Sequence, residues 1–279
     1  MVVNHNMSAI YSNRIVGLNV NETQKINEKL ATGLSINRAS DNSAGLSISE
    51  KMRSQIRGLN QASKNTMDGV SFVQVAEGHL QSTTDILHRI RELAVQSSNG
   101  IYTDEDRSMI AVEISQLVSE VDRIASQATF NGLNILTGRF ATDNSMTLHV
   151  GANMDEKVSI NIGDMSATAI GLRGSDGTMI DLSTAESANA AIGVVDEALN
   201  TVLKQRSDLG GFQSRLEVAV KGTNIAAENM QAAESRIRDA DYAQLMVESV
   251  RNQVLTQASV SALAHSNNSS GMVMSLING

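Results

Sequence analysis

Proline, cysteine and tryptophan are absent from the 279 residues, and rings are scarce, with four Phe and three Tyr. Without proline, helices can run long and unbroken, since one proline in a helix interior costs about 3 kcal/mol. So few rings argue against a globular core, where aromatic side chains supply much of the buried area. Small and aliphatic residues dominate instead, which suits helix-on-helix seams. Lack of cysteine excludes disulfides and thiolate metal sites. Positive charge is in deficit too: the formal net charge is −8. That argues against nucleic acid as a partner, because binding a polyanion needs a basic footprint. The basic residues between Lys51 and Arg57 are interleaved with polar groups and read as a solvated helix face. No run of about 18 apolar residues occurs, so no membrane insertion is expected. Met1 to Asn13 lacks a basic cluster followed by an apolar core and does not read as a cleavable signal.

What is present is heptad order. Positions 52, 59, 66, 73, 80, 87 and 94 are Met, Leu, Thr, Val, Leu, Leu and Ala. Gln55, Ala62, Gly69, Ala76, Thr83 and Ile90 lie three residues after the first six, so 45–99 reads as one long helix with a small-residue seam. Thr103 and Asp106 form a capping-box start. Ile110, Ile114, Leu117, Val121, Ile124 and Ala128 then alternate spacings of four and three. A third seam runs from Ala188 to Ile237 after a cap at Ser183 and Glu186, with polar members Arg206, Gln213 and Glu234. These three either fix register or lie at the seam edge. Between the helical stretches, Met146–Val150 and Val158–Ile162 alternate with period two and predict a β-hairpin. Gly171, Gly174 and Gly177 mark further turns. The two ends, 1–44 and 239–279, are Asn- and Ser-rich with scattered apolar positions. They predict weak helices that need a partner, most simply another copy of the chain. Ser35 to Ser43 reads as a break, and Asn267 to Gly271 as an interruption of the last helix. The whole predicts a mainly α chain folded back on itself, a long antiparallel bundle with a small β-hairpin insertion.

No constellation for catalysis emerges, and no cofactor or metal is expected. His5, His79, His88, His149 and His265 fall in no ligand spacing. Asp104, Glu105 and Asp106 suit the first turn of a helix, where the macrodipole favours negative charge. Asp239 and Asp241 read as a helix break rather than a metal pair.

Several stretches resemble bacterial flagellins: Ile36-Asn-Arg-Ala-Ser-Asp-Asn-Ser-Ala-Gly-Leu-Ser-Ile48, Gln61-Ala-Ser-Lys-Asn-Thr-Met-Asp-Gly69, Arg89-Ile-Arg-Glu-Leu-Ala-Val95, Phe130-Asn-Gly-Leu-Asn-Ile-Leu136 and Glu228-Asn-Met-Gln-Ala-Ala-Glu-Ser-Arg-Ile-Arg-Asp-Ala-Asp241. Gly100 to Arg107 and Val150 to Asp155 are most similar to the core flagellins of spirochaetes, whose filaments lie in the periplasm. Asn42 stands where the family often has Asp, and the proline common in the family's tail is missing after Ala264-His-Ser-Asn267.

The resemblance implies a structural filament subunit for motility. Residues 1–44 and 239–279 would be the D0 helices of an inner tube, and 45–238 the D1 bundle, with 139–183 its hairpin and turn region. It implies inter-subunit packing by Met7, Ile10, Val250 and Val254. It also implies an extracellular flagellum reached through the flagellar export channel, or a periplasmic one in a spirochaete, and as partners other copies, an export chaperone, and the hook-junction and cap proteins. Arg89, Leu93 and Glu113 match a patch that an innate immune receptor of animals binds in this family. A hook–filament junction protein and a non-flagellar coiled-coil adaptor are the alternative readings.

Overall fold

A computed structural model describes residues 5–141, 144–174, 178 and 180–278. Five helices and four short strands follow in the order α1 (Met7–Thr32), α2 (Ser43–Ser97), α3 (Asp104–Gln127), β1 (Thr129–Phe130), β2 (Leu133–Asn134), β3 (Met146–His149), β4 (Lys157–Ile160), α4 (Ala185–Arg238) and α5 (Tyr242–Asn278). The turn expected at Gly177 lies outside the described residues.

The chain divides into two compact units, one of residues 1–55 with 228–279 and the other of residues 56–227. In the second unit, α2 and α4 run antiparallel. Ser63 donates to Asn224 at 2.9 Å, Arg206 pairs with Glu77 at 3.0 Å, and Arg91 pairs with Asp196 at 2.7 Å. Val73, Leu80, Leu87 and Ile90 of α2 close on Val195, Val202, Leu209 and Leu216 of α4, all fully buried. These are members of the heptad seams, so helices of 55 and 54 residues, each about 80 Å long, need no other device to stay aligned. The polar seam members resolve differently. Arg206 reaches across to Glu77, whereas Gln213 bonds Glu217 on its own helix and sits at the edge.

α3 packs on the same core through Ile114, Val118, Val121 and Ala125. Its start is the expected capping box, with Thr103 Oγ1 accepting from Asp106 N–H and Asp106 accepting from Thr103 N–H. The cap of α4 lies one residue beyond the expected pair: Thr184 and Ser187 exchange hydrogen bonds between side chain and backbone. Strands β3 and β4 pair antiparallel, Met146 opposite Ile160 and His149 opposite Lys157. Gly69 lets this hairpin lie close to α2, because a Cβ there would come within 2.3 Å of Leu148 Cδ1. A second hairpin, β1–β2, turns at Asn131 and Gly132, with φ of 51° and 74°. That is the two-residue turn in which both residues need positive φ.

In the first unit, α1 and α5 lie antiparallel against each other, with Asn6 Nδ2 donating to Ser266 O and Asn19 Nδ2 to Ser259 Oγ. This corrects the expectation that the ends lack a partner within one chain. It also corrects the expected interruption at Asn267 to Gly271, since α5 is continuous to Asn278. The breaks at the other ends of these helices are as expected. α1 stops at Gly33, in the left-handed conformation at φ 71°, and Asp241 caps α5 by accepting from Ala243 and Gln244 N–H. Gly33 to Ser35 and Arg238 to Ala240 then form a two-bond antiparallel clip.

Candidate functional site

The face that α5 turns toward α1 is polar. Leu245, Ser249, Asn252, Thr256, Ser259, Leu263 and Ser266 keep a spacing of four and three, and Ser249 and Asn252 are 4% and 6% exposed. On α1 the half-buried positions Ser12, Val16, Asn19 and Thr23 and the buried Ile26 match it. Apart from Val16, Ile26, Leu245 and Leu263, many of the large apolar residues lie outside this seam. Met7, Ile10, Tyr11 and Leu18 of α1 are exposed, as are Met246, Val247, Val250, Val254, Leu255 and Val260 of α5. Val250 and Val254, expected to pack between copies, lie in this exposed set. They point away from α1 because small hydrogen-bonding side chains let the two backbones approach. Val247, Leu255 and Val260 were not singled out from sequence. Their signal was that the apolar residues of α5 are not confined to one stripe around the helix.

The clip below this pair is held by charge. Arg238, nearly buried, donates to Glu50 at 2.6 Å, and Arg53 adds a contact at 3.2 Å. Arg238 chiefly holds the Glu50 carboxyl below its ordinary value near 4.5. A carboxyl held low in the fold contributes stability that is complete above its unfolded value and disappears as pH falls through the folded one. Glu50→Gln should therefore lower the melting temperature of the chain at neutral pH and flatten its decline below about pH 4.5. Circular dichroism melts at a series of pH values check this. A decline as steep in the variant as in the parent would show that the acid response arises elsewhere.

In the second unit, Arg89 and Glu113 meet at 3.0 Å on the surface, joining α2 to α3, with Glu92 also on Arg89 at 3.3 Å. Leu93 does not join them. It is 2% exposed and belongs to the core, which corrects its placement in a surface patch. α2 lies between α3, reached by Arg89, and α4, reached by Arg91, and Leu93 projects into the space they enclose. Arg107, which sequence reasoning passed over, is also buried. Its guanidinium donates to the carbonyls of Ser97, Asn99 and Tyr102 and so ties the end of α2 to the start of α3.

A groove of about 560 Å³ is lined by Asn161, Lys204, Gln205, Asp208, Phe212 and Arg215. Gln205 spans it, accepting from Gly163 N–H and donating to Asn161 O, so its polar groups splice the strand extension to α4. Among the described residues no three His, Cys, Asp or Glu side chains converge to hold a metal, and no helix is long and apolar enough to cross a membrane.

Helices that pair largely through polar residues and leave many apolar ones outside present a face suited to an interface, and the class so defined is a helical structural subunit of a larger assembly. The chain matches the bacterial flagellin N-terminal helical region over residues 3–141 and the bacterial flagellin C-terminal helical region over residues 192–277. It belongs to the bacterial flagellin family and is a structural subunit of the flagellar filament. It is 57% identical to the flagellar filament 31.3 kDa core protein of Treponema maltophilum, covering 99% of this chain and all of that one. It is 53% identical to a flagellar filament core protein of Brachyspira hyodysenteriae over 96% of each. A putative flagellar hook-associated protein from Vibrio parahaemolyticus shares the fold alone, at 14% identity and TM-score 0.59, over 71% of this chain and all of that structure.

Proposed function

We propose that copies of this chain pack through α1 and α5 into the inner layer of a filament, and that the chain is structural and not catalytic. Residues 1–44 and 239–279 are the inner D0 layer, and 45–238 the surrounding D1 layer, in which 139–183 supplies the hairpin and turns. The observation that carries this is the outward apolar face of α5, with Val247 71% and Val254 60% exposed beside an inward seam of Ser, Asn and Thr. Met7, Ile10, Val250 and Val254 then become buried between copies. Burying a valine from water is worth about 2 kcal/mol. A polymer repeats that gain at every subunit.

Val250→Asp combined with Val254→Asp tests the proposal. Both side chains face solvent in the single chain, so its melting should hardly change. Electron microscopy and sedimentation should find no filaments, because each new carboxylate would be buried unpaired. Filaments like the parent's would overturn the reading.

The likeness to flagellar filament core proteins of Treponema and Brachyspira supports a periplasmic flagellum as the place of assembly. The export chaperone, hook-junction and cap proteins are partners by family membership. An animal innate receptor reads the surface pair Arg89 and Glu113, with Leu93 supporting them from the core. A binding assay on the monomer should show a large loss in Arg89→Ala with Glu113→Ala, and unchanged binding would remove the pair from that role.

A further inference from the structure

We propose that Asn99–Gly100 is a self-modifying site, where the folded turn promotes conversion of Asn99 to aspartate or isoaspartate. The dipeptide lies in the exposed turn between α2 and α3. The reaction starts when the Gly100 peptide N–H loses its proton to a base in the solvent. In this turn that N–H donates no hydrogen bond among the described residues, and no neighbour lies within 4 Å of where a Cβ at Gly100 would stand, so the residue that supplies the attacking nitrogen is loosely packed. The resulting negative charge is shared with the oxygen of the same peptide, Asn99 O. Two donors already face that oxygen, Arg107 Nη2 at 3.2 Å and Tyr102 N at 3.4 Å. The arginine is 5% exposed and fixed by its bonds to Ser97 O and Tyr102 O, so its charge acts through little water. Next the Gly100 nitrogen attacks Asn99 Cγ, forming a C–N bond that closes a five-membered ring. Charge moves to Asn99 Oδ1, which Ile101 N–H faces at 3.4 Å, as a donor placed where charge develops. Collapse breaks the bond from Cγ to the amide nitrogen, which leaves as ammonia with a proton from water. Water then opens the ring at either carbonyl. One water is consumed, one ammonia is released, and no oxidant or cofactor takes part. The product carries one more negative charge, beside an arginine whose ion-pair partner, Asp104, is 3.8 Å away.

The same dipeptide at Asn131–Gly132 provides an internal control. There the turn is held between the paired residues Phe130 and Leu133 and Thr129 and Asn134, with both φ values positive. Ring closure would have to distort the tight turn that this ladder closes.

The test is peptide mapping by mass spectrometry, with isoaspartate detection, on the full chain incubated at mildly alkaline pH, folded and in urea. Asn99 should convert at least as fast in the folded protein as in urea, whereas folding should slow Asn131 about tenfold or more. Arg107→Lys should slow the folded reaction at Asn99 several-fold and leave the reaction in urea unchanged. Asn99→Gln, whose ring would need an extra atom, should abolish conversion at this position. Folding that slows Asn99 as much as Asn131, or an undiminished rate in folded Arg107→Lys, would overturn the proposal.

Discussion

A chain ending at Asp241 will form no filaments, yet its residues 56–227 will still melt as a cooperative helical unit. The core of that unit draws its buried members from residues 72–216, and α5 contributes none of them. Losing α5 therefore leaves that core intact while removing the exposed Val247, Val250, Val254 and Val260. A further effect separates this from simple trimming. Deleting the 37 residues of α5 strips α1 of its partner, and the 26 residues of α1 are too Asn-rich and too short to hold as an isolated helix. Circular dichroism should thus lose the helix of both segments, although only one has been removed. Sedimentation and electron microscopy read assembly. Filaments from the truncated chain would refute the proposed role of α5. Loss of the cooperative melt would show that the core depends on it. Helix loss equal to α5 alone would show that α1 is stable by itself.

The long helices were legible in the sequence because their signal accumulates: seams such as Val73, Leu80, Leu87 and Ala94 repeat a weak preference until chance is excluded. Single side-chain motifs were legible where one hydrogen bond decides the structure, as at Thr103 with Asp106. The hairpin β3–β4 followed from alternation. β1–β2 was not read, because strands of two residues carry no period; Asn131–Gly132 was the only local signal. The α1–α5 pair was missed for a different reason. Reading for apolar stripes selects Val250 and Val254, but the face that pairs within the chain is Ser249, Asn252, Thr256 and Ser259. Residues reserved for contacts between copies compete with residues that pair within one copy, and the sequence does not say which stripe serves which purpose. Leu93 was misplaced on similar grounds. Its spacing of four from Arg89 puts both on one side of α2, but α2 is flanked by α3 and α4, and the offset of about 40° around the helix between positions four apart separates surface from core.

Phe72→Ala is expected to be among the most damaging single substitutions in the second unit, at about 4 kcal/mol. Phe72 is 1% exposed. It makes edge-on contacts with Phe130 at 5.6 Å and Phe140 at 5.8 Å between ring centroids. Three of the four phenylalanines in the chain thus meet at one point. Phe130 belongs to β1 and Phe140 follows the turn at Gly138, so Phe72 is the place where the segment after α3 docks on α2. Truncation leaves a cavity that helices spanning its whole length cannot close by local collapse, and it also removes two edge-to-face pairs worth about 1 kcal/mol each. Phe72→Leu keeps most of the volume and should cost less than half as much. Phe212, half-buried on α4 beside Arg215, supplies the comparison, and Phe212→Ala should cost about 1 kcal/mol. Equilibrium urea unfolding of the three variants measures the order. The expected sequence is Phe72→Ala far below Phe72→Leu, with Phe212→Ala nearest the parent. Equal losses at Phe72 and Phe212 would show that the ring cluster is incidental to the docking of this segment, which would then depend on the backbone bonds from Met165 N–H to Leu136 O and from Ile162 N–H to Phe140 O.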